Sequence, residues 1–150
     1  MGASFRSTTS HLGLCVSNLE RSRRFYIDGL GFTEFARFEI TRPIAEVDAP
    51  HDITSYFMQK DGLRIELLDY RKPGVIGTPS TRRNQLGLTH LSFVVDDVDA
   101  AAKELEEYGG TIIEGTRSGQ EDPSMVQIIF LADPDGTRVE LMRLAAGQEW

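Results

Sequence analysis

The chain writes one pattern twice. HLGLCVSNLERSRRFYIDGLGF (11–32) is matched by HLSFVVDDVDAAAKELEEYGGT (90–111), and DGLRIEL (61–67) by DGTRVEL (135–141). The order of the blocks is kept and only the segment between them changes length, which marks an internal duplication. In each copy a period-two run (Leu12, Leu14, Val16; Leu91, Phe93, Val95) leads into a helical stretch. Ser17 and Glu20 offer an S-x-x-E capping box for the first helix, closed by Gly29 or Gly31. Asp96 or Asp97 caps the second, whose stripe is Val98, Ala101, Ala102 and Leu105 and whose end is Gly109-Gly110. Three strand-like runs follow in each half, at about 32–40, 53–60 and 63–70, then 111–117, 125–132 and 137–144.

The expected architecture is therefore α+β: two tandem β-α-β-β-β modules, 9–70 and 87–144, whose curved mixed sheets pair to enclose a metal-containing cleft. The linker 71–86 is rich in Pro, Gly, Thr and Arg, and it is long enough to fold one module against the other within the single domain 1–150. With 40% hydrophobic residues, a chain of this length can bury a stable core.

The repeated phrase poses a problem that a repeated hairpin does not solve. Glu66 lies between Ile65, Leu67 and Leu68, and Glu140 between Val139, Leu141 and Met142. A carboxylate at mid-strand among apolar neighbours needs a cation, a donor network or a metal to offset its desolvation. Alternation also sets His11, Gly13 and Cys15, and in the second copy His90 and Ser92, on the face opposite the helix-packing residues. His11, Glu66, His90 and Glu140 thus occupy equivalent positions, two per module, a nitrogen and oxygen donor set suited to a divalent metal. Pairing of the glutamates with Arg64 or Arg138 is the plainer reading.

Composition excludes several classes of function. A net charge of −7 without a basic stripe argues against nucleic acid as a partner. No apolar run has the length of a membrane span, and MGASFRSTTS lacks a signal-peptide core, so a cytoplasmic location is expected. The lone Cys15 leaves neither an intrachain disulfide nor a cysteine-based zinc site, and reads as a small strand residue.

The ordered markers H-L-G-L-x-V, F-Y-x-x-x-L-G-F, G-L-T-H-L-S-F-x-V-D-D-V-D and D-P-D-G-x-x-V-E-L resemble the vicinal oxygen chelate superfamily. Its members include glyoxalase I, methylmalonyl-CoA epimerase, extradiol dioxygenases, fosfomycin-resistance enzymes and bleomycin-binding proteins. The resemblance spans roughly 9–144. It implies metal ligands at His11, Glu66, His90 and Glu140, and one divalent ion per site (Ni, Co, Zn, Mn or Fe). It also implies a lyase or isomerase that chelates vicinal oxygens of a small-molecule substrate and stabilises an enediolate or enolate during proton transfer. By likeness to glyoxalase I the catalytic base falls on Glu140 first and Glu66 second. A homodimer is implied, with the four ligands taken from one subunit or, as in swapped members, from two.

Subfamily signatures diverge. The glutathione-contacting arginine and asparagine of bacterial glyoxalase I align with Cys15 and Tyr70. The extra carboxylate of the epimerases is missing from ITSYFMQK (53–60). His11, His90 and Glu140 match the iron triad of extradiol dioxygenases, one alternative, while Glu66 crowds the oxygen position. A non-catalytic resistance protein that binds a small molecule or antibiotic is the other. His51, beside Asp52 in a polar loop, reads as solvated. Arg37, Arg42, Tyr56, Met58, Tyr70, Arg117 and Gln127 are candidate substrate contacts, with sheet packing or a solvated edge as the plainer reading of each.

Overall fold

The computed structural model describes residues 5–122 and 124–149, so the first four residues of the stretch read for a leader lie outside the described residues. Among the described residues eight strands form two four-stranded mixed sheets. The first contains β1 (Leu12–Val16), β2 (Thr33–Ile40), β3 (Asp52–Lys60) and β4 (Leu63–Lys72) in the order β1-β4-β3-β2. The second contains β5 (Leu91–Val94), β6 (Thr111–Ile112), β7 (Gln127–Ala132) and β8 (Arg138–Arg143) in the order β5-β8-β7-β6. In each, the first strand runs parallel to the fourth and the other pairs are antiparallel. No helix among the described residues is long and apolar enough to cross a membrane.

The chain clusters into two compact units. One comprises the segment up to Ser17 together with Phe32–Val75; the other comprises Asn18–Gly31 and the chain from Ile76 onward. Helix α1 (Leu19–Arg23) and its continuation as a π-helix (Arg24–Gly29) thus cluster with the second sheet and α2 (Val98–Glu107).

Specific contacts explain this. The Tyr26 hydroxyl donates to Asp133 Oδ2 at 2.8 Å, and Arg21 donates to the Pro134 carbonyl and to Asp135 Oδ1, both at 3.0 Å. Arg24 donates to the Glu107 carbonyl at 2.7 Å. Gly29 permits close approach to α2, since a Cβ there would come within 2.9 Å of Leu105 Cδ2. The wide π turn, closed by Leu30 N–H donating to the Phe25 carbonyl at 3.0 Å, lets the adjacent Phe25 and Tyr26 both turn inward, each 0% exposed.

Two local expectations are corrected. The first helix is capped by Asn18, not Ser17: the Asn18 carboxamide oxygen accepts from Arg21 N–H at 3.0 Å, while Glu20 turns to Arg23. A side-chain oxygen reaches the third helical amide from the position directly before the helix, and Asn18 holds it. Asp97 caps α2 as anticipated, accepting from Asp99 and Ala100 N–H. The run at 111–117 forms a strand only over Thr111–Ile112. Gly115, at φ +74°, turns the chain, and the Thr116 hydroxyl takes over the pairing by donating to the Ile113 carbonyl and accepting from Phe130 N–H.

The cores follow the period-two pattern. Register sets Ile65, Leu67, Tyr56 and Met58 on one face of the first sheet, each 1% exposed or less. In the second unit Ile129, Leu131, Val139 and Leu141 are each 0% exposed and share their unit with the buried α2 residues Val98, Ala102 and Leu105. The opposite faces carry Glu66 and Glu140.

Candidate functional site

In the first unit β1 lies beside β4 with Gly13 opposite Glu66, which brings His11, just before β1, over the glutamate. His11 Nε2 stands 3.1 Å from Glu66 Oε2, and His11 Nδ1 is 2.9 Å from the Ser10 hydroxyl. The other carboxylate oxygen, Oε1, accepts from the Ser55 hydroxyl on β3. Phe57, opposite Glu66 in the β3–β4 register, meets the His11 ring edge-on at 5.1 Å and 87°. Phe38 stands against the same ring of Phe57 at 6.0 Å. The Arg64 guanidinium lies 3.9 Å over Phe35, the residue at the β2 register shift.

The second unit repeats the arrangement. Ser92 is opposite Glu140, and His90, just before β5, places Nε2 3.6 Å from Glu140 Oε2. His90 Nδ1 is 2.8 Å from the Thr89 hydroxyl, and the Ser92 hydroxyl donates to Glu140 Oε2 at 2.7 Å. Phe130, opposite Glu140, meets the His90 ring at 5.2 Å and 87°. Glu140 is 8% exposed, so its donors must offset most of the cost of burying a charge. Neither glutamate forms an ion pair with the arginine two residues before it; each stands against a histidine instead.

Each imidazole therefore sits between a hydroxyl and a carboxylate. A hydroxyl both donates and accepts, so Ser10 and Thr89 accommodate either tautomer. With the proton on Nε2 facing the glutamate, the hydroxyl donates to Nδ1; with the proton on Nδ1, the hydroxyl accepts and the Nε2 lone pair is presented to the carboxylate side. The second state is that of a histidine ligand backed by an outer partner. Among the described residues no three His, Cys, Asp or Glu side chains gather as a metal-holding group; the four candidates stand as two pairs, one per unit.

The chain matches the model of the Glyoxalase/Bleomycin resistance protein/Dioxygenase superfamily over residues 8–141. It belongs to that superfamily. Among its relatives, the catechol-2,3-dioxygenase of Bacillus subtilis is 28% identical over 136 residues, covering 88% of this chain and 41% of the dioxygenase, so this chain spans less than half the length of that relative. The lactoylglutathione lyase of Neisseria meningitidis serogroup A is 26% identical over 141 residues, covering 93% of this chain and 92% of the lyase. The fold is shared with a glyoxalase family protein from Bacillus cereus, at a TM-score of 0.76 and 16% identity, covering 95% of this chain and 97% of that chain.

Within this glyoxalase-superfamily chain several candidate contacts fall elsewhere. Tyr56 and Met58 lie on the sheet face opposite Glu66, where Tyr56 donates to Glu34. Arg37 pairs with Glu39, and Arg117 with Asp99. Gln127 shares parity with the core residues Ile129 and Leu131. His51 is not simply solvated: its Nε2 lies 3.0 Å from the Val47 carbonyl. Arg71 gathers Glu39, Asp52 and Asp69, and the Thr54 hydroxyl, then Arg37 and Arg71, hold Glu39 down to about 2, so Arg37 and Arg71 are engaged by these carboxylates. Tyr70 does share the face of Glu66; burial, then the charges of Cys15 and Glu66, push its hydroxyl up.

Sequence reasoning missed the supports. The hydroxyl before each histidine was visible as S-H-L and T-H-L. The rings of Phe57 and Phe130 and the Ser55 hydroxyl emerge only from strand register.

Proposed function

We propose that this chain is a divalent-metal-dependent enzyme of the glyoxalase type, a lyase or isomerase acting on a small molecule with two neighbouring oxygens, with His11, Glu66, His90 and Glu140 as the ligands. One observation carries the reading: the same imidazole–carboxylate pair, backed by a hydroxyl at Nδ1, stands at corresponding strand positions in both units. The donor chemistry fits the ion. When Nδ1 carries the proton, each Nε2 and its carboxylate are two acceptors facing each other, and a bound cation held by both would resolve the repulsion. Imidazole with carboxylate suits Ni, Co, Zn, Mn or Fe. A divalent ion bound there would polarise a substrate carbonyl and stabilise the negative charge left when the adjacent carbon loses a proton.

The protein's own groups supply the rest. Glu140, buried and oriented by Ser92, is the first candidate to accept the proton, and Glu66, oriented by Ser55, is the second. Edge contacts from Phe57 and Phe130 hold the imidazole planes, so little reorganisation is needed on binding.

The test is elemental analysis of protein purified without a chelating tag, with calorimetric titration of Ni, Co, Zn, Mn and Fe(II). One divalent ion per site is expected, lost in a folded His90→Ala variant. Turnover is then sought among 2-oxoaldehyde hemithioacetals and acyl-CoA thioesters. Folded protein that binds none of these metals would favour the metal-free binding protein instead. The likeness to the catechol dioxygenase supports a second reading, ring cleavage with Fe(II) on His11, His90 and Glu140; oxygen uptake with catechol in the Fe(II)-loaded protein decides for it.

A further inference from the structure

The repeated phrase carries an arginine as well as a glutamate, and the copy in the second unit is the more deeply buried and shares its aromatic ring with a second arginine. Arg138 is 6% exposed, and among the described residues its buried Nε has no hydrogen-bond partner while Nη1 donates to the Thr81 carbonyl at 3.3 Å. Its guanidinium lies 4.7 Å from the centroid of Phe130, and that of Arg83 lies 4.4 Å from the same centroid. No carboxylate among the described residues forms an ion pair with either. Glu140, two residues along the same face of β8, has its carboxylate against Ser92 and His90 and forms no ion pair with Arg138.

An unpaired buried charge is among the costliest arrangements a fold can keep, and two guanidiniums on one ring add mutual repulsion. Contact with the Phe130 face offsets only part of this. The Phe130 ring also touches His90, so the uncompensated cations adjoin the candidate ligand pair. The counterpart Arg64 also has a buried Nε without a partner, but the residue as a whole is less enclosed than Arg138 and its guanidinium lies over a Phe35 that is 49% exposed.

We propose that Arg138 and Arg83 form an oxyanion-binding site, and that the substrate of the proposed enzyme carries an anionic carboxylate or phosphate group beside its vicinal oxygens. A guanidinium with an unused Nε–H suits a flat or tetrahedral oxyanion, which can accept from two of its nitrogens. The inference deepens the proposed function, and it is tested in chelator-treated protein so that it stands or falls apart from the metal.

The full chain, labelled with 15N, is titrated with pyruvate, inorganic phosphate and neutral hydroxyacetone at constant ionic strength, following the arginine Nε–H resonances and the melting temperature. Either anion should shift an arginine resonance and raise Tm while hydroxyacetone does neither; binding of pyruvate alone assigns the site to a carboxylate, and of phosphate alone to a phosphoryl group. Arg83→Ala, an exposed substitution, should weaken that binding at least 10-fold, and Arg138→Met, which keeps the aliphatic stem on Phe130, should abolish it. Should Arg138→Met fail to fold, Arg83→Ala still decides. Failure of both anions to bind the wild type at up to 20 mM, or unchanged affinity in Arg83→Ala, overturns the proposal.

Discussion

The two half-sites share their donors and differ in their supports. In the first unit the serine that steadies the glutamate, Ser55, comes from the neighbouring antiparallel strand; in the second, Ser92 comes from the parallel strand that follows the histidine. His11 approaches Glu66 to 3.1 Å, whereas His90 stands 3.6 Å from Glu140, whose side chain is the more buried of the two glutamates. Arg64 is partly buried and Arg138 is buried. A duplicated fold keeps what period two and strand order dictate, the position of an imidazole and a carboxylate, while the groups that orient them are free to arrive from different strands. On the proposed reading, the more enclosed second half-site, with two arginines on Phe130 against one on Phe35, is where chemistry on an anionic substrate is expected, and the first is expected to contribute chiefly metal affinity.

That contrast can be broken at several points. The largest effect is expected at the carboxylates: Glu140→Gln should lower metal-dependent turnover by about 10²–10⁴-fold. Glu66→Gln should act mainly through metal affinity and be rescued by excess metal. Equal, unrescued losses in steady-state kinetics would erase the division of labour.

Next come the serines. Ser55→Ala and Ser92→Ala should each weaken metal binding by about 10–100-fold in calorimetric titration, because each removes a donor that orients a ligand. No change in either would mean that the hydroxyls only solvate the carboxylates.

The helix that clusters with the second unit supplies a third contrast. Tyr26→Phe removes a donor from buried Asp133, whose carboxyl burial already pushes up, and should cost about 1–3 kcal/mol in chemical denaturation. Burial, then the charge of Asp133, raises the Tyr26 hydroxyl well above 10. The unfolded tyrosine ionises near 10 while the folded one stays neutral, so this contribution is complete below that pH and is lost as pH rises past it. Tyr26→Phe should flatten that alkaline loss of stability.

The smallest signal concerns assembly. Mixing His11→Ala with Glu140→Ala chains should restore on the order of a quarter of the wild-type sites if the two pairs meet across a twofold dimer, because half the dimers are mixed and each has one intact site. No recovery is expected if both pairs belong to one chain. Metal stoichiometry in the mixture reads this independently of turnover.

Much of the molecule was legible in the chain itself. The duplication gave the two matching sheets, and alternation set His11, Glu66, His90 and Glu140 on one face of their strands; both depend on interactions between residues near in sequence, where turns and side-chain parity are decided. Asp61-Gly62 even forms the two-residue turn its dipeptide announces, both residues at positive φ, while the second Asp-Gly sits in a longer loop tied together by Asp133. Tertiary structure decided the rest. It shortened β6 where the Thr116 hydroxyl replaced strand pairing, joined α1 to the second unit through Tyr26 and Arg21, set Phe57 and Phe130 against the imidazoles by register, and buried Arg138 without a counter-ion. Burial and cross-strand register are set by partners tens of residues away, so no local pattern around Arg138 could distinguish it from Arg64, although the two stand in the same repeated phrase.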